Sequence, residues 1–179
     1  IYLSDQYGYQ VSDYERHWFS RGGFSMQPNL YGFQIPYLWM ERVKHFLRAF
    51  FNSFAVTFHP EGRLLTEHPL PTMADWSGDH YKTSDEAISC HCLRLMLARE
   101  KGQELHLLSA VPRSWLEDGK RISVTNMATH FGTLSLNVES SVSRGTIRMS
   151  IAPPVRNAPD TIFIRFRHPC GMRLRRVLI

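Results

Sequence analysis

Cysteine is scarce in this sequence, and long apolar runs are missing altogether. The 179 residues hold three cysteines, Cys90, Cys92 and Cys170, an odd set that makes no disulfide framework. Cys90 and Cys92 lie two apart on an expected helix, so they point to different faces and cannot easily bridge each other. No Cys/His spacing suggests a zinc site; no metal and no cofactor is expected. The greasiest stretch, residues 46–58, is broken by Arg48 and Asn52, whereas a membrane span needs about 20 uninterrupted apolar residues. Residues 1–10 are polar and aromatic, without the basic start and apolar middle of a secretory signal. Internal repeats and low-complexity tracts are also lacking.

What is there has an ordinary globular balance, 43% hydrophobic and 21% charged, which argues against disorder. Net charge is +5 and the isoelectric point near 9.3. The excess gathers at the end, where Arg165, Arg167, Arg173, Arg175 and Arg176 fall within twelve residues. Such a cluster can contact nucleic acid; it reads better as the solvent-facing half of alternating strands, so no nucleic-acid partner is expected. The chain starts at Ile1 rather than Met and stops at Ile179 inside an apolar run, the pattern expected of a piece of a larger protein.

Along the chain, residues 1–35 are rich in aromatics, Gly and Ser without a clean period, and read as a long connection. Pro36 suits the first turn of a helix. Trp39, Val43, Phe46, Leu47, Phe50, Phe51, Phe54 and Phe58 then repeat at spacings of three and four, which predicts a helix over about 36–58, ended by Pro60. A second helix is expected over about 84–101, opened by the capping-box spacing Thr83-Ser84-Asp85-Glu86 and closed by Gly102. Ile88, Cys92, Leu93, Leu95, Met96 and Leu97 cover most of its circumference, as in an interior helix. From Glu104 the period changes to 2, with strands expected around Leu105, Ile122, Leu136, Met149, Ile164 and residues 174–179, and a helical turn within residues 112–118. The fold class is therefore α+β: a helical segment, residues 1–103, followed by a small antiparallel β-sandwich, residues 104–179.

Between the helices lies a polar loop, residues 59–83, of a length that tends to be functional. Its centre, residues 66–82, packs three carboxylates (Glu67, Asp75, Asp79), two histidines (His68, His80), Trp76, Tyr81 and Lys82 into seventeen residues. Aromatic faces can stack on a sugar ring while carboxylates and imidazoles hydrogen-bond its hydroxyls. The same carboxyls can serve as general acid or base. An ordinary surface loop stapled by its prolines is the competing reading, and for each residue alone a bracing role competes with a chemical one.

Several stretches together resemble a known family: Pro28-Asn29-Leu30-Tyr31-Gly32, Phe46-Leu47-Arg48-Ala49-Phe50-Phe51-Asn52, Thr66-Glu67-His68-Pro69, Asp75-Trp76-Ser77-Gly78-Asp79-His80, Pro112-Arg113-Ser114-Trp115-Leu116 and Arg167-His168-Pro169. They are similar to the C-terminal end of bacterial six-hairpin glycosidases, the (α/α)6-toroid enzymes related to α-L-rhamnosidases. The resemblance covers most of the chain from residue 28 and rests on general pattern, not on a catalytic signature.

The resemblance implies that the two helices are the last of a toroid whose upstream part lies outside this chain, that loop 59–83 lines the substrate funnel, and that the β domain caps the toroid. The substrate would be an oligo- or polysaccharide of plant or bacterial origin, met in the periplasm or outside the cell. Glycoside hydrolysis uses two carboxylates. Glu67, Asp75 and Asp79 are candidates for one, its partner lying upstream; His68, Trp76, His80 and Tyr81 would bind substrate, and the fragment alone would be inactive. Trp115 is read as a plug between the domains. Two alternatives stay open: a polysaccharide lyase of similar architecture drawn to acidic glycans, and a non-catalytic carbohydrate-binding or structural module.

Overall fold

The computed structural model describes residues 34–59, 63–65, 83–173 and 175–178. The chain is mixed α+β and divides into two compact units, residues 1–93 and 94–179. Among the described residues no helix is long and apolar enough to cross a membrane.

In the first unit, α1 spans Ile35–Trp39 with Pro36 in its first turn. The single helix expected over 36–58 is interrupted here, and α2 runs from Val43 to Thr57. The break is a Schellman closure. Arg42 N–H reaches back to the Tyr37 carbonyl at 2.7 Å and Glu41 N–H to that of Leu38 at 3.1 Å. Glu41 itself takes the left-handed conformation, φ +57°, a position that usually calls for glycine.

On α2 the buried seam is Phe46, Ala49, Phe50, Ser53 and Thr57, spaced as one helix face. Thr57 is accommodated there because its Oγ1 donates to the Ser53 carbonyl at 2.7 Å. Rings at four-residue spacing form a ladder: Phe46–Phe50 at 6.4 Å, Phe50–Phe54 at 6.0 Å and Phe54–Phe58 at 5.3 Å between centroids. The buried stripe is narrower than the periodicity suggests, since Phe51 stays 44% exposed. A two-residue strand β1, Phe58–His59, pairs antiparallel with β2, Leu64–Leu65.

Helix α3 spans Thr83–Leu97. Asp85, Ser89, Cys92 and Met96 mark its buried face, whereas Ala87, Cys90 and His91 are exposed, so it is not apolar-covered on most sides as expected. It also ends four residues before Lys101, because residues 98–101 form a strand instead. Two of the helix's last carbonyls are taken by the chain that follows: Leu97 by Leu108 N–H at 2.8 Å, and Met96 by Ala110 N–H at 3.4 Å.

The second unit holds two three-stranded sheets. In the first, β3 (Ala98–Lys101) and β4 (Glu104–Leu107) form a tight antiparallel hairpin. Gly102, expected as a helix cap, instead supplies φ +58° at the first position of the two-residue turn. The third strand, β8 (Thr161–Ile164), lies parallel to β4, with Leu105 opposite Ile162 and Leu107 opposite Ile164. An all-antiparallel domain is thus corrected: alternation tells that a strand has two faces but says nothing of its neighbour's direction.

The second sheet is an antiparallel meander of β5 (Arg121–Thr129), β6 (Gly132–Ser141) and β7 (Thr146–Ala152). One face carries the rows Ile122–Val138–Met149 and Val124–Leu136–Ile151, with Ile122, Val124, Leu136 and Val138 buried. The other face is polar, and Ser123 Oγ there donates to Asn137 Oδ1 at 2.7 Å. A bulge in β5 frees Asn126, whose N–H finds Ser135 Oγ at 2.9 Å. Residues 175–178 carry no regular structure, where a last strand was expected.

Glu100 of β3 ties into the β5–β6 turn. It accepts from His130 N–H, and from Arg94, which also donates to the Ala128 carbonyl at 2.8 Å. At that turn Gly132 has φ +124° and sits so close to Arg156 that an added Cβ would lie 3.3 Å from Arg156 Cβ. Only glycine fits there without a shift.

Candidate functional site

The residues singled out from the sequence, Glu67, Asp75 and Asp79 as catalytic candidates and His68, Trp76, His80 and Tyr81 as substrate-binding ones, all lie outside the described residues. So do Pro28 to Gly32 of the resemblance. The described chain meets that loop at Leu65, which is buried, and leaves it at Thr83, the first residue of α3. Asp85 and Glu86 occupy the first turn of α3, where acidic side chains favour the helix dipole. Their role at the helix start needs no chemistry.

The described residues do form an open groove in the second unit, with a volume of about 520 Å³. One wall is the short 3₁₀ turn Arg113–Leu116, which follows Pro112 and puts Ser114 and Trp115 against the groove. Proline before the turn fixes its entry. Leu116, fully buried, anchors the turn from below, and its carbonyl accepts from Ser140 Oγ at 2.7 Å.

The other wall comes from the start of β5. Lys120, Arg121 and Ser123 line it, Glu117 closes the near end, and Leu97 and Ile122 add apolar surface. Arg121 is exposed and pairs with Glu139 at 3.4 Å. The bend between the walls is held by Asp118, whose Oδ1 accepts from Ser143 N–H at 2.9 Å and from Ser143 Oγ at 2.8 Å. These bonds, the backbone one foremost, with Arg144 nearby, keep the Asp118 carboxyl below its usual range. Gly119 N–H and Lys120 O close the same bend onto Ser140.

This groove therefore combines a half-buried indole, a carboxylate, two cations and two hydroxyls with apolar surface from Leu97 and Ile122. Such a set suits a polar ligand with one apolar face. Trp115 was singled out in the sequence, as a plug; Glu117, Lys120 and Arg121 were not. Their signal was local: an aromatic residue, an Asp118-Gly119 bend, and then two cations opening a strand.

Among the described residues no group of His, Cys, Asp and Glu is arranged to hold a metal ion. The three cysteines are free thiols. Comparison of the chain with protein-family models, with curated proteins and with solved structures finds no match.

Proposed function

We propose that this chain is the C-terminal part of a carbohydrate-active enzyme, a glycoside hydrolase of the six-hairpin type. In this reading α2 and α3 belong to the end of an (α/α)6 toroid, and the sheets of residues 94–179 to the β domain that follows it. Loop 59–83 faces the substrate, and one of Glu67, Asp75 and Asp79 supplies a carboxyl to the reaction. The observation that carries the reading is the groove beside Trp115. Pro112-Arg113-Ser114-Trp115-Leu116, one of the stretches behind the family resemblance, builds its wall, and its side chains match what a sugar asks of a protein: a flat ring for the C–H face and charged or hydroxyl groups for the rim.

The chemistry follows the two-carboxylate scheme, a protonated acid assisting the leaving oxygen and a second carboxylate acting as base or nucleophile. The test is single replacement in the full-length protein: Glu67→Gln, Asp75→Asn and Asp79→Asn. Loss of a general acid or base lowers turnover by about 10²–10⁴-fold, and one of the three is expected to show it. Unchanged turnover in all three sinks the catalytic assignment of the loop.

The groove also favours a second reading, in which residues 94–179 bind glycan without catalysis. Neutral oligosaccharides should then quench the fluorescence of the 179-residue chain saturably, and Trp115→Ala should abolish the effect. Saturable quenching that persists in Trp115→Ala would place the sugar elsewhere.

A further inference from the structure

The bend beside the groove sorts its charges. Glu117 and Lys120 are the first and fourth residues of a hydrogen-bonded β-turn: Lys120 N–H donates to the Glu117 carbonyl at 3.0 Å, and Gly119 between them takes φ +75°. Both residues line the groove, from the two corners of that turn. The carboxylate between them in sequence, Asp118, is engaged elsewhere, by the N–H and Oγ of Ser143.

Arg121 follows directly and opens β5 on the same wall. Its partner Glu139 lies 3.4 Å away, but the two side chains are 78% and 53% exposed. An ion pair so solvated contributes little. The sheet register sets Glu139 opposite Arg121 on one side and opposite Arg148 of β7 on the other. Residues directly opposed across strands stand about 5 Å apart at Cβ. Arg121 can therefore turn from Glu139 to a ligand without stranding that carboxylate, because Arg148 stands on its other side. This end of the sheet thus offers the groove a cation that its own carboxylate can spare.

We infer that the groove prefers an acidic sugar: the glycan that lies against Trp115 carries a carboxylate, as a uronic-acid residue does, and Lys120 and Arg121 bind it. The inference rests on the sugar reading of the groove and narrows it to one substrate class. The guanidinium fork of Arg121 matches both oxygens of a carboxylate, and Lys120 adds a second cation beside it. Glu117, Ser114 and Ser123 remain for the ring hydroxyls. The net charge of the chain, +5, acts in the same direction by drawing acidic chains toward it.

The experiment is calorimetric titration of the 179-residue chain with a matched pair of ligands. One is an oligosaccharide containing glucuronate; the other is the same oligosaccharide with its carboxyl groups reduced to primary alcohols. The acidic member should bind about 10-fold more tightly or better, and added sodium chloride should shrink that ratio. Lys120→Met and Arg121→Gln, both at exposed positions, should each bring the acidic-to-neutral ratio toward one, with circular dichroism unchanged. Trp115→Ala should weaken both members. Arg173→Gln, on the exposed tail, should keep the ratio of the parent. Equal affinity for the two members overturns the inference and leaves the groove a site for neutral sugar. A ratio that survives both Lys120→Met and Arg121→Gln, or that Arg173→Gln lowers as much, also overturns it, as does an acidic member indifferent to Trp115→Ala. Binding of neither member removes the sugar reading of the groove and this inference with it.

Discussion

Gln34 and Cys92, 58 positions apart, meet inside the first unit, where the Gln34 side-chain amide donates to the Cys92 sulfur at 3.2 Å. Both residues are fully buried. Burial dominates over the donated bond and pushes the Cys92 thiol up to about 11. The thiolate is the reactive form, so at pH 8 only about one Cys92 in a thousand is ionised, given that value.

Thiol reactivity should separate the three cysteines accordingly. Cys90 and Cys170 are exposed. A disulfide reagent such as DTNB at pH 8 should release two equivalents quickly from the folded chain and the third only in denaturant. Three fast equivalents under native conditions would contradict the burial of Cys92.

Acid should act on the bend beside the groove. The bonds from Ser143 stabilise the ionised form of Asp118, so its folded pKa lies below the unfolded one. The stabilisation is complete above the ordinary carboxylate value of about 3.9 and is lost as pH falls through the folded pKa. Urea unfolding of the parent and Asp118→Ala should therefore show a stability difference at pH 7 that shrinks below pH ~4. A difference that stays constant across that range would mean the carboxylate is not what holds Ser143.

The aromatic ladder of α2 makes a demand on packing. Phe46 is fully buried and stacks on Phe50. Phe46→Ala should cost about 3–5 kcal/mol, and Phe51→Ala, at a half-exposed position, markedly less. Equal losses by thermal or urea unfolding would refute the narrow buried seam.

Much of the second unit was legible in the sequence because period-2 alternation is a direct consequence of one buried face. Leu134, Leu136 and Val138 are buried as their spacing demands, and the turn at residues 113–116 falls where Pro112 and Gly119 bracket it. Three things were not legible. The helix break at Glu41 depends on a non-glycine residue in a left-handed conformation, so no glycine advertised it. The end of α3 at Leu97 is set by Leu108 and Ala110 capturing its carbonyls, a long-range effect that local propensity does not contain. The direction of β8 depends on the path of residues 153–160, not on its own side chains. The groove shares this property: its walls come from segments whose neighbourhood only the fold creates.

The parallel placement of β8 has a consequence for how this unit assembles. The whole meander β5–β7 is strung between two adjacent strands, so Leu107 finds Ile164 only after the intervening chain has been made and drawn together. Contacts of such long separation are slow to form, and an edge strand of four residues is the part easiest to peel away. The stretch bearing Arg165 and Arg167 continues from that strand. The bond from Arg167 Nη1 to the Val111 carbonyl, at 2.8 Å, acts as a clasp on this last-formed edge of the domain.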